Sequence, residues 1–157
     1  MKIIGVYGFK KSGKTTVVTS IIDALVKKGY SVSSAKSIHI DDFSIETEGT
    51  DTFKHHTAGA RRVGLSYPSG KAILYYDQST DDFMNKFDSD YLILEGFRDY
   101  ECPKILCAKN EDDLKKDIKE GVVCISGLIS EEISEYNGIP VIHYNDIDKI
   151  IRIIESL

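Results

Sequence analysis

The chain has 157 residues, 41% of them hydrophobic and 29% charged, and a formal net charge of -5. That length suits one domain (residues 1–157) with a real core, and the balance excludes a disordered chain and any global pull toward nucleic acid or an anionic membrane. The three cysteines, Cys102, Cys107 and Cys124, include no C-x-x-C pair and are odd in number, which argues against a disulfide framework or a zinc site. No signal peptide precedes the first predicted strand and no apolar run reaches membrane-spanning length, so the expected location is the cytoplasm.

Residues 2–7 read as a short buried strand. Gly8-Phe9-Lys10-Lys11-Ser12-Gly13-Lys14-Thr15 follows and fits G-x-x-x-x-G-K-[ST], the phosphate-binding loop. Val17, Val18, Ile21, Ile22, Leu25 and Val26 then recur at helical spacing over residues 16–28, and Gly29 is a helix stop. The motif therefore sits on a strand-loop-helix turn, where glycines let the backbone wrap around phosphate oxygens and the helix N-terminus supplies partial positive charge. In that setting Lys14 reaches the β- and γ-phosphates and the Thr15 hydroxyl is a magnesium ligand. Ser12 lies within the loop. Lys10 and Lys11 offer point charges, one for phosphate and the other for solvent.

Residues 30–37 are the second predicted strand, which completes a βαβ unit and implies a parallel sheet. A polar stretch runs from Ser37 to about Gly49, after the C-terminal end of a strand, where open α/β sheets place ligands. Residues 51–62 read as a helix capped by Thr50 or Asp51, with Lys54, His55, Arg61 and Arg62 on its face. Residues 67–70 are a turn. Then come a strand at 72–76, a helix at 80–87 capped by Thr80, and a strongly apolar strand at 90–94. Further strands are predicted at 104–108, 122–125 and 140–143, and helices at 111–120, 130–136 and 146–156. The last carries Ile147, Ile150, Ile151 and Ile154 on one face. The alternation predicts a three-layer α/β/α sandwich around a mostly parallel sheet, with an antiparallel piece from 72–76.

Glu95 ends the apolar strand at 90–94, the place of the acidic residue that completes a magnesium site in P-loop proteins and that can orient an attacking water. Lys14 and Glu95 are thus the candidate catalytic pair, and Thr15 and Glu95 the candidate metal ligands. His39, Asp41, Asp42, His55 and His56 form a His/Asp-rich cluster suited to a metal, a proton-transfer pair or anion recognition, although their spacing fits no zinc signature. Asp51 and His55 are four apart and share a helix face. Lys109-Asn110-Glu111-Asp112 suggests a guanine-reading pattern, but Asn-Lys-x-Asp itself is absent, and a charged strand-to-helix loop is the simpler reading.

Several of these stretches together resemble the molybdopterin-guanine dinucleotide biosynthesis protein B (MobB) family. They are the loop through Thr16, Ala35-Lys36-Ser37-Ile38-His39-Ile40-Asp41-Asp42-Phe43, the run Gly49 to Ala60, Leu94-Glu95-Gly96-Phe97-Arg98-Asp99, and Pro103-Lys104-Ile105. The resemblance spans roughly residues 1–106. It implies a GTP-binding protein with weak magnesium-dependent GTPase activity, working as a homodimer. Such a protein would assist the MobA-type guanylyltransferase that attaches GMP to molybdopterin. Carried over, the phosphate site is Gly8, Gly13, Lys14, Thr15 and Thr16, and the magnesium and hydrolysis carboxylate is Glu95. Lys36, Asp51, His55 and Gly59 match further motif positions and, with His39, mark a surface for a second ligand or partner. Ser37 stands where the family often has His, and Lys54 and His56 replace arginines, which weakens bidentate phosphate recognition. A small-molecule kinase with Asp41 or Asp51 as base, or an ATP-dependent adaptor, are the alternatives on the same fold.

Overall fold

A computed structural model describes residues 1–40, 43–76 and 78–157. The elements run β1 (Lys2–Gly8), α1 (Lys14–Lys27), β2 (Val32–Lys36), α2 (Asp51–Thr57), β3 (Arg62–Tyr67), β4 (Gly70–Tyr75), α3 (Thr80–Met84), β5 (Tyr91–Glu95), β6 (Lys104–Cys107), α4 (Glu111–Asp117) and β7 (Val122–Ser126). A 3-10 turn at Leu128–Glu131, a hairpin of β8 (Glu135–Tyr136) and β9 (Ile139–Pro140), and α5 (Ile147–Ser156) complete the chain. They form two compact units: residues 1–38 with 88–157, and residues 39–87.

The first unit is built on a five-stranded parallel sheet in the order β2-β5-β1-β6-β7. β5 and β6 are buried along their whole length, as near-continuous apolar strands covered on both faces must be. On one face Val17, Val18, Ile21 and Leu25 of α1 and Ile150, Ile151 and Ile154 of α5 pack on Ile4, Val6, Ile93 and Ile105. On the other, Leu114 of α4 and Ile129 pack with Tyr7, Leu106, Ile125 and Val141. The result is a helix-sheet-helix sandwich, and the three cysteines are free thiols within it. Among the described residues no helix is long and apolar enough to cross a membrane.

The second unit holds α2, α3 and an antiparallel hairpin in which Arg62 to Tyr67 pair with Tyr75 to Gly70. The helix expected over 51–62 stops at Thr57. Gly59 takes φ +106, and the Gly59 and Ala60 amides donate back to the His56 and His55 carbonyls at 2.8 and 3.1 Å, a left-handed helix end. The chain beyond alternates Val63, Leu65 and Tyr67 with polar or small residues, the period of a strand. The antiparallel piece at 72–76 exists, but it pairs with β3 in its own two-stranded sheet.

Three local expectations change for identifiable reasons. The helix at 130–136 is replaced by the 3-10 turn and the β8–β9 hairpin, because Asn137 and Gly138 take φ of 50 and 79, the geometry of a tight hairpin turn. The strand at 140–143 shrinks to β9 and a single parallel bridge from Val141 to Ile125. Ser79, not Thr80, caps α3 by accepting from the Asp82 amide at 3.1 Å. Thr50 caps α2.

Candidate functional site

The loop at residues 8–15 is shaped by close approach. Gly8 has φ +144, and a Cβ there would lie 1.9 Å from the Cys107 carbonyl oxygen of neighbouring β6. Lys11 and Gly13 take positive φ of 61 and 93. Ser12 is buried while Lys10 and Lys11 are exposed. An open cleft is lined by Lys11, Ser12, Gly13, Lys14, Thr15 and Thr16. The buried Ser12 hydroxyl has no hydrogen-bond partner. An orphaned polar atom inside a phosphate-type loop is a donor in want of an acceptor. The Lys14 ammonium donates to the Phe9 carbonyl at 2.7 Å. Burial pushes this ammonium below its ordinary pKa, while Cys107 and Glu95 pull it partly back.

The chain's tail closes the loop from behind. A Cβ on Gly127, at φ +85, would sit 2.3 Å from the Ser12 carbonyl oxygen. The family resemblance carried by the motifs ends near residue 106, and sequence reasoning missed this contact. The one available signal was a glycine directly after an apolar strand.

The carboxylate comes from sheet order. β5 lies between β2 and β1, with Glu95 in register with Lys36 on one side and Val6 on the other. The Thr15 hydroxyl donates to Glu95 Oε1 at 3.0 Å, and Lys36 Nζ lies 2.9 Å from the same oxygen. Lys36, matched earlier without a role, thus joins Thr15 and Glu95. Two oxygen donors on adjacent elements suit a hard divalent cation, so the residues fit magnesium.

A second network backs the loop. Arg98, on the turn after Glu95, lies 5.5 Å from the centre of the Phe9 ring and pairs with the Asp117 carboxylate at 3.1 Å. The Tyr7 hydroxyl donates to the Asp117 carbonyl at 2.8 Å and accepts from the Lys119 amide at 3.0 Å. Burial raises the Asp117 pKa, with Arg98 and Lys119 opposing. Burial likewise pushes the Tyr7 phenol up to about 12.

His39, Asp51, His55 and Gly59 belong to the second unit. Asp51 forms an ion pair with Lys54 at 3.2 Å rather than with His55, which is exposed. Gly59 ends α2. Asp41 and Asp42 of the His/Asp cluster lie outside the described residues. Among the described residues no group of three or more His, Cys, Asp or Glu is placed to hold a metal ion. His56 stacks on Tyr76, with ring centres 3.5 Å apart, and has its Nδ1 3.8 Å from Glu46. The Tyr76 hydroxyl hydrogen-bonds the same Glu46 carboxylate, which is almost wholly buried, and its other oxygen is unpartnered. Burial first, then that bond, pushes the Tyr76 phenol up to about 12. Glu46 and Tyr76 were not singled out from sequence. Lys109-Asn110 proves to be a capping arrangement. Asn110 accepts from the Asp113 amide at 3.1 Å, and Asp113 accepts from the Lys109 amide at 3.0 Å.

A parallel sheet with helices on both faces, a G-x-x-x-x-G-K-T loop between β1 and α1, and a carboxylate at the end of adjacent β5 define a P-loop NTPase-type fold. The family described as molybdopterin guanine dinucleotide synthesis protein B matches residues 3–127, and the chain belongs to it. A putative molybdopterin-guanine dinucleotide biosynthesis adapter protein of Methanocaldococcus jannaschii is 27% identical over 98% of this chain. A probable adapter protein of Bacillus subtilis is 27% identical over 92% of this chain and 86% of its own length. The chain spans 61% of the length of the Methanocaldococcus relative. The fold matches the crystal structure of Bacillus subtilis MobB with a TM-score of 0.78 at 23% identity, covering 98% of each chain. A MobB homologue from Bacillus stearothermophilus matches with a TM-score of 0.75 at 18% identity, covering 100% of each.

Proposed function

We propose that this chain binds GTP on the loop at residues 8–15 and serves as an adapter in molybdopterin guanine dinucleotide synthesis, with weak magnesium-dependent GTPase activity. The observation that carries the reading is one open cleft lined by Lys14, Thr15 and an orphaned Ser12 hydroxyl, whose Thr15 also donates to the Glu95 carboxylate behind it. Its partners are then a MobA-type guanylyltransferase or molybdopterin itself, and a second copy of the chain. Membership of the family, and relatives named as biosynthesis adapters, support that assignment.

The loop amides and the N-terminus of α1 bind phosphate oxygens. Lys14 exchanges its bond to the Phe9 carbonyl for one to the β- and γ-phosphates. Thr15 and Glu95 would hold magnesium, which would supply positive charge against the negative charge developing on the phosphate. Glu95 also orients a water for in-line attack on the γ-phosphorus. The bond to the β–γ bridging oxygen breaks, and GDP and phosphate leave. Arg98 is paired with Asp117, which leaves Arg61 and Arg62, here or from a second copy, as the candidates to add an arginine finger's charge, and without such a group turnover is expected to be slow.

Calorimetry with magnesium tests this: GTP against ATP, for the wild type and Lys14→Ala. Tight GTP binding that is lost in Lys14→Ala, with ATP much weaker, is expected. Equal or tighter ATP binding would shift the reading to a small-molecule kinase or an ATP-dependent switch.

A further inference from the structure

We infer that Lys36 is a tethered cation that occupies the metal's side of Glu95 and sets how strongly nucleotide binding depends on a divalent cation. This rests on the nucleotide-binding reading above. Glu95 is 8% exposed, and a carboxylate withdrawn from water needs a compensating charge. Lys36 supplies it, 2.9 Å from Oε1, the same oxygen that accepts from the Thr15 hydroxyl at 3.0 Å. Cross-strand register fixes the pairing, because Lys36 on β2 is the direct partner of Glu95 on β5. The Lys36 side chain is 57% exposed against 10% for that of Glu95, so the ammonium reaches in from solvent and can withdraw without opening the core.

A divalent cation held between Thr15 and Glu95 needs the oxygen that Lys36 occupies. Like charges exclude one another there, and two consequences follow. Without metal, Lys36 keeps Glu95 neutralised, so an incoming polyphosphate does not meet a bare carboxylate. With metal, Lys36 must leave, and its departure offsets part of the metal's affinity. Lys36 therefore buffers the site and narrows the gap between metal-free and metal-dependent binding.

The test is GTP affinity in excess magnesium and in EDTA for the wild type, Lys36→Gln and Lys36→Arg, read as the Kd in EDTA divided by the Kd in magnesium. Lys36→Gln should raise that ratio about tenfold, since metal-free binding weakens while metal-dependent binding holds or tightens. The midpoint of a magnesium titration should fall in parallel. Lys36→Arg, which keeps the charge, should stay within about threefold of the wild type. A merely structural role would change both affinities together, and an unchanged ratio in Lys36→Gln overturns the inference. A lowered ratio overturns it too, because Lys36 would then act with the metal. Failure of the wild type to bind GTP in either buffer removes the nucleotide reading and this inference with it.

Discussion

Gly127 and Gly8 show how much of the loop's shape depends on side chains that are not there. A Cβ on Gly127 would lie 2.3 Å from the Ser12 carbonyl oxygen and 3.0 Å from that of Ala108, both backbone atoms that cannot rotate away. Gly127→Ala should therefore shift the loop, cost about 2–3 kcal/mol in a urea titration, and weaken GTP binding as well. Gly138 is the internal control. Its φ is +79, but nothing lies within 4 Å of its Cβ position, so Gly138→Ala should cost only the left-handed strain of about 1–2 kcal/mol and leave binding alone. Equal effects of the two substitutions on GTP affinity would rule out the loop contact as the cause.

At the scale of elements, α4 is tied to the turn after β5 by Arg98 and Asp117. Asp117 is the last residue of α4, is almost fully buried, and has one oxygen without a partner. Burial raises its pKa above the unfolded value, so its ionised form costs stability above the folded pKa. That cost is relieved as pH falls toward the unfolded pKa. Arg98 opposes the shift, so Arg98→Ala should enlarge the penalty. The Arg98 side chain is 38% exposed, which discounts the loss to about 1–2 kcal/mol at pH 7, and the deficit should shrink near pH 4.5. Urea titrations at both pH values check this, and a deficit that grows on acidification would count against the account. The same elements show where sequence reasoning reaches its limit. β1, its loop and α1 were legible because their signals are local: an apolar run, a motif and a helical period. Glu95 was legible as the acidic end of an apolar strand. Lys36 could be matched but not given a role, because its partner is set by β2 lying beside β5, a fact of sheet order. The Glu46–His56–Tyr76 cluster is assembled by the fold of residues 39–87 and has no signature along the chain. The β8–β9 hairpin differs, since Asn137-Gly138 is a recognised turn signal that the helical reading of 130–136 passed over.

For the whole molecule, the proposed nucleotide binding must appear as stability. A ligand that binds only the folded state adds RT ln(1 + [L]/Kd), about 2.7 kcal/mol at a hundredfold excess over Kd. In a chain of 157 residues each kcal/mol raises Tm by about 2–4 °C, so saturating GTP with magnesium should raise it by about 5–10 °C. The two compact units make the shape of the melt informative. If the chain melts in one transition, the whole transition should move. If residues 39–87 melt separately, only the transition that carries the five-stranded sheet should move, because the loop, Thr15 and Glu95 all belong to that unit. Lys14→Ala should melt at the same temperature with and without GTP. Scanning calorimetry of both proteins, each with GTP and with ATP, checks the prediction. A GTP-dependent shift that survives in Lys14→Ala would place the nucleotide somewhere other than this loop.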